Sequence, residues 1–128
     1  MDSATALSIA RRIVKGQPPA EYDELYAALL ELKVSFSKPE SWFLKTTARA
    51  IIGVKQVGEK HWIVPGLQGD YYGLYNVWLV RGGKYRCDCH NRLFGSSREK
   101  SVCTHVASVI LSRRWVELKR SLYQFQGR

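Results

Sequence analysis

Two short-spaced pairs of ligand-type residues, Cys87-Asp88-Cys89 and Cys103-Thr104-His105, constrain this chain more than any other feature. They contain all three of its cysteines, with thirteen residues between the pairs. An odd number of cysteines argues against a closed disulfide framework, and clustering beside a histidine points to metal ligation in a reducing compartment. Closed zinc sites take four sulfur or nitrogen ligands in tetrahedral geometry. Residues two apart on a strand face the same side, so Cys87 and Cys89 can turn to one ion. A Cys-x-His pair at a helix start can approach the same ion from its first turn. The spacing predicts one structural zinc ion, Zn2+, held by Cys87, Cys89, Cys103 and His105. His90 competes for the fourth place, but it points off the opposite face of a strand, which favours His105.

The surrounding periodicity predicts what those ligands connect. Residues 3–15 read as a short amphipathic helix capped by Ser3, and Gly16 to Pro19 ends it. A second helix is expected from Ala20 to Lys33, with Glu21, Asp23 and Glu24 near its positive end. Ser37-Lys38-Pro39-Glu40 has capping-box spacing, and a third helix follows through Trp42 and Phe43 to Ala50. Residues 51–57 and 60–64 then read as a hairpin, and 72–80 as a strand with Val77 and Leu79 on one face and Asn76, Trp78 and Val80 on the other. Gly82-Gly83 predicts a tight two-residue turn leading to Lys84–Cys87. From Cys103 onward the pattern is helical, with Ala107, Leu111, Trp115, Leu118 and Leu122 along one face; it allows either a continuous helix or a break near 113–115. The expected class is α+β: N-terminal helices, central antiparallel hairpins, then a zinc-bearing ββα unit with a long terminal helix. A division into residues 1–71 and 72–128 follows the glycines at 66, 69 and 73 and a change in charge.

That change is steep. Residues 1–80 hold nine Lys/Arg against eight Asp/Glu, whereas residues 81–128 hold eleven against three. A basic C-terminal third suggests an anionic partner, with nucleic acid first among the candidates. Arg81, Lys84 and Arg86 surround the hairpin; Arg92, Arg98 and Lys100 occupy the segment between the ligand pairs; Arg113, Arg114, Lys119 and Arg120 lie on the last helix. Phe94, in the same segment, offers a ring for stacking on a base. No bidentate base-reading set stands out, so phosphate positioning with weak sequence preference is expected.

The arrangement Cys-x-Cys-x(n)-Cys-x-His, preceded by a hairpin and followed by an apolar helix, resembles the SWIM-type zinc finger. The likeness covers about residues 72–111, with Val102-Cys103-Thr104-His105-Val106-Ala107-Ser108-Val109-Ile110-Leu111 similar to the family's ligand-bearing helix. His90 departs from the family, whose members often carry proline there. The resemblance implies a ββα zinc module that binds DNA or other proteins, in settings that include recombination and transcription. It also permits a second reading, an adaptor that docks on a protein such as a recombinase paralogue, with the apolar face of Trp115, Leu118, Leu122 and Phe125 as the contact surface or as a homodimer seam. Residues 1–71 carry no such likeness.

Enzymatic chemistry finds little footing. Four protein ligands leave no open metal position, and the chain has no His-Glu-x-x-His and no Gly-Lys-Ser/Thr phosphate loop. No apolar run reaches membrane-spanning length, and the order of charges at residues 1–15 is wrong for a secretory signal. The expectation is a non-enzymatic intracellular protein, cytoplasmic or associated with the nucleoid or nucleus, that prefers DNA over RNA.

Overall fold

The computed structural model describes residues 1–91 and 102–126, with side chains described through residue 90 and from 102 to 121. Helices α1 (Ser3–Val14), α2 (Asp23–Ser35) and α3 (Glu40–Ile52) come first. Strands β1 (Lys55–Gly58), β2 (His61–Pro65), β3 (Leu74–Val80) and β4 (Lys84–Cys87) follow. Helix α4 (Thr104–Gln126) closes the order. The class is α+β, as the sequence predicts. The strands form one antiparallel sheet in the order β1-β2-β3-β4. The β2–β3 pairing carries that sheet across residues 71/72, where the sequence suggests a division.

Helix α1 begins one residue earlier in its capping than expected. Asp2, not Ser3, is the N-cap: its carboxylate accepts from the Thr5 N–H at 2.7 Å and adds a negative charge at the positive helix end. Ser3 is freed to accept from the Gln68 N–H instead. Ala6 and Ala10 of α1 are fully buried in one small cluster with Ala48 of α3, where short side chains let the two helix backbones approach closely. The capping box at Ser37 does not form. Pro39 disfavours helical conformation at Lys38, so α3 starts after it, at Glu40.

Ile51 and Ile52, read as strand from their β-branched side chains, belong to the last turn of α3. Their burial beside Ala48 and Leu67 outweighs their modest β preference, and Gly53, at φ 131°, ends the helix. The β3–β4 turn also differs from expectation. Three residues, Arg81, Gly82 and Gly83, lie between the paired Val80 and Lys84, and both glycines have positive φ.

Helix α4 runs unbroken through 113–115. Its first half lays Val106 and Val109 against Trp62, Val64, Tyr75 and Val77 of the sheet. Leu111 joins Ile13, Leu25, Leu29 and Phe43 in the helical core, and Trp115 and Leu118 pack on the same cluster. Trp115 meets the Tyr22 ring at 6.1 Å, so part of the apolar face considered for docking closes the protein's own core. Leu122 and Phe125 lie outside the described side chains.

Arg49 ties these parts together. It is only 2% exposed. Its Nε donates to Thr104 Oγ1 at the start of α4, and its Nη1 donates to the Pro65 carbonyl and to Asp70 Oδ2 at 2.9 and 2.7 Å. One guanidinium therefore joins α3, the end of β2, the β2–β3 connection and α4.

Candidate metal centre

Strand β4 delivers Cys87 to the buried face of the sheet, opposite Val77. The chain then coils into a 3-10 turn, Asp88–Asn91. That turn, rather than a continued strand, brings Cys89 back toward Cys87. It is fixed from both sides. The Asp88 carboxylate accepts from the Asn76 backbone N–H and side-chain amide at 2.8 and 2.9 Å, and His90 Nδ1 accepts from the Cys87 N–H.

The second pair arrives at the head of α4. Cys103 occupies the cap position: its carbonyl accepts from the Ala107 N–H and its sulfur from the Val106 N–H, at 2.9 and 3.4 Å. Sulfur here serves as a helix cap, and the positive end of the helix favours its thiolate. His105 follows within the first turn, stacked on Tyr75.

Ligand atoms of Cys87, Cys89, Cys103 and His105 all lie within 4.8 Å of one another. Sulfurs bound at about 2.3 Å in a tetrahedral zinc site stand about 3.8 Å apart, which this spacing accommodates. Both ring nitrogens of His105 are buried with no hydrogen-bond partner, as expected of a ring that serves a metal. His90 also has a buried, unpartnered Nε2, but its Nδ1 accepts from the Cys87 N–H and it is not among the clustered ligand atoms. It supports the turn.

The electrostatics fit the same use. Hydrogen bonds from the Cys87 and Cys89 thiols, opposed by burial and aided by the Val106 and His105 N–H groups, bring the Cys103 thiol down to about 3. The same shared hydrogen bonds, together with burial, push the Cys87 thiol far up. Three sulfurs this close cannot all ionise without a cation among them. Burial lowers the pKa of His105 and outweighs the opposing influence of the nearby Cys89 sulfur, which keeps the imidazole in the neutral form that binds metals.

The basic residues are distributed over two sides. Arg81, Lys84 and Arg86 are exposed on the β3–β4 hairpin. Arg113 donates to the Tyr85 hydroxyl at 2.6 Å and lies 5.1 Å from the Trp62 ring centroid, placing it beside that hairpin. Arg120 lines a shallow groove with Arg113 and Trp62. Arg114 instead faces α2, where it pairs with Glu31 and with Glu117 of its own helix. Lys119 sits 4.0 Å from the Trp115 ring centroid. Arg114 and Lys119 therefore do not join the hairpin group. Arg92, Phe94, Arg98 and Lys100 lie outside the described residues.

One pair of residues has a prominence that sequence reading misses. On the sheet face turned away from α4, the register sets His61 beside Trp78, and their rings stack at 5.1 Å and 18°. His61 Nε2 is hydrogen-bonded to Asn76 Oδ1, and Trp78 lies opposite Arg86. The alternation of Val77 and Trp78 gives the face, but the partner depends on the β2–β3 register, which the sequence does not reveal.

Fold and site together define an α+β protein with a Cys3His group able to bind a metal ion such as zinc. No protein-family model, curated protein or solved structure matches the chain. Among the described residues, no helix is long and apolar enough to cross a membrane.

Proposed function

We propose that this chain is a zinc-structured, non-enzymatic nucleic-acid-binding protein, with DNA preferred over RNA. Zinc is the ion best suited to three thiolates and one imidazole converging from a sheet and a helix. With four protein ligands it acts structurally, holding α4 to the β3–β4 hairpin.

The observation that carries the binding reading is the outer sheet face. The stacked Trp78 and His61 lie in the same layer as Arg86 and Lys84, with Arg81 in the adjoining turn. Single-stranded nucleic acid is bound by this combination of an aromatic platform and cations that follow the backbone. The resemblance to SWIM modules supports the same reading. Phosphate contacts dominate, so sequence preference is weak.

A salt titration with zinc-loaded protein and labelled single- and double-stranded oligonucleotides tests this. Affinity falling steeply with salt, and favouring the single strand, is the expected result. Absence of binding by folded, metal-loaded protein at low salt overturns it.

A further inference from the structure

An open cleft of about 740 Å³ lies between α3, the β2–β3 connection and the first turn of α4, on a different part of the molecule from the outer sheet face. Its cationic lining comes from Lys38, Lys45 and Arg49. Asp70 is the one carboxylate among the described residues of that lining, and Arg49 already neutralises it at 2.7 Å. Among the described residues, Lys38 and Lys45 therefore bring positive charge that no carboxylate of the lining offsets.

Its hydrogen-bonding groups are also one-sided. Lys45 is exposed and has no partner among the described residues. Arg49 spends Nε and Nη1 on protein acceptors, leaving Nη2 without an acceptor among the described residues. The Thr104 hydroxyl oxygen accepts from Arg49 Nε, which leaves its own proton to donate. His105 is 6% exposed, and neither ring nitrogen has a hydrogen-bond partner. A metal held by one nitrogen would leave the other as a buried N–H beneath the cleft floor. Lysines and a hydroxyl that bring donors and few acceptors favour a ligand rich in acceptors.

We propose that this cleft binds a phosphate monoester, the group carried by a nucleotide or by the end of a nucleic-acid strand. A dianion with three terminal oxygens can use several donors of one lining, whereas an internal phosphodiester brings one charge. Tyr71 lines the same cleft and is 70% exposed, a ring surface for a neighbouring base. The strand-end source rests on the nucleic-acid reading above; the phosphate site itself does not.

The test is calorimetric titration of full-length, zinc-loaded protein with inorganic phosphate and with adenosine 5′-monophosphate. It is paired with binding of matched oligonucleotides carrying a 5′-phosphate or a 5′-hydroxyl. Saturable phosphate binding is expected, weakened roughly tenfold or more in Lys38→Ala/Lys45→Ala with zinc content and circular dichroism unchanged. Preference for the 5′-phosphorylated strand, competed by inorganic phosphate, assigns the strand end. Tight mononucleotide binding without oligonucleotide binding keeps the cleft, assigns it to a small nucleotide and removes the nucleic-acid reading. No phosphate or mononucleotide binding by the wild type, or undiminished binding in the double variant, overturns the cleft proposal. Oligonucleotide binding indifferent to the 5′-phosphate and to competing phosphate overturns the strand-end source and leaves the outer-face reading standing.

Discussion

The imidazole of His105 lies nearly flat on the ring of Tyr75, with centroids 3.7 Å apart and planes inclined by 25°. The two residues come from different elements, the first turn of α4 and the start of β3, so the stack orients a metal ligand through the sheet. Tyr75 is also buried, and its hydroxyl accepts from the Tyr72 N–H. Tyr75→Ala should weaken zinc affinity by about 10–100-fold, the usual cost of losing an outer support. It should also destabilise the fold by about 3–5 kcal/mol through the cavity it leaves. Tyr75→Phe keeps the stack and loses one hydrogen bond, about 1 kcal/mol. Chelator competition alongside thermal melts measures both, and wild-type zinc affinity in Tyr75→Ala would contradict the orienting role.

Cys103→Ser separates capping from ligation. Serine is itself a good cap, so the α4 terminus keeps its acceptor while the metal loses a thiolate. We expect loss of zinc and a stability drop of more than about 3 kcal/mol, a large share of what a domain of this size has. Urea unfolding with a metal assay reads both. A zinc-free variant as stable as the wild type would mean that the metal contributes nothing to the fold.

Asp70 provides an acid-dependent term. Burial raises its carboxyl pKa, but the hydrogen bonds from Arg49 and the Leu67 N–H, with the charge of Arg49, outweigh that and hold it below the usual 3.8. A carboxyl lowered on folding stabilises the protein fully above its unfolded pKa and loses that contribution as pH falls through the folded one. Asp70→Asn should therefore cost about 2 kcal/mol near neutrality. The gap from wild type should shrink once the pH drops below about 4. Denaturation series at several pH values test this, and a gap independent of pH would exclude the ion pair as its source.

On the outer sheet face, Trp78→Ala should cost about 1–3 kcal/mol of single-strand affinity and leave the salt slope unchanged. Lys84→Ala should lower that slope by about one contact's worth. Anisotropy titrations across salt distinguish the two, and a Trp78→Ala protein that binds as well as wild type would move the interface elsewhere.

Gly66 is required by space. A Cβ there would stand 2.1 Å from the Tyr72 carbonyl oxygen, across a connection closed by the Gly66 N–H to the Gly73 carbonyl at 2.7 Å. Backbone must shift to admit it, so Gly66→Ala should destabilise by about 1–3 kcal/mol. Gly73→Ala meets nothing within 4 Å and serves as the control. Equal melting temperatures for the two variants would contradict this.

The legible parts of the fold were those governed by local pattern. Alternation fixed the faces of Val77 and Trp78, and the two ligand pairs marked a strand end and a helix start that meet in space. Ile51 and Ile52 misled because their β-branched chemistry speaks to strands, whereas their place was set by Ala48 and Leu67. Arg49 showed no distinguishing signal. Its importance rests on Pro65, Asp70 and Thr104, which only the tertiary arrangement brings to one guanidinium. The His61–Trp78 stack was hidden for a similar reason, since strand register is a relation between segments.

The division of the four ligands between hairpin and helix also has a temporal side. Translation delivers Cys87 and Cys89 before Cys103 and His105, so a two-thiol half-site precedes the complete one. Two thiols grip an ion far less firmly than four donors do. An ion bound during that interval would remain exchangeable, and competing soft cations or oxidants would have their best opportunity. Arrival of α4 acts as a latch. A metal met by the half-site alone would still exchange, whereas one enclosed by donors from both hairpin and helix would be held.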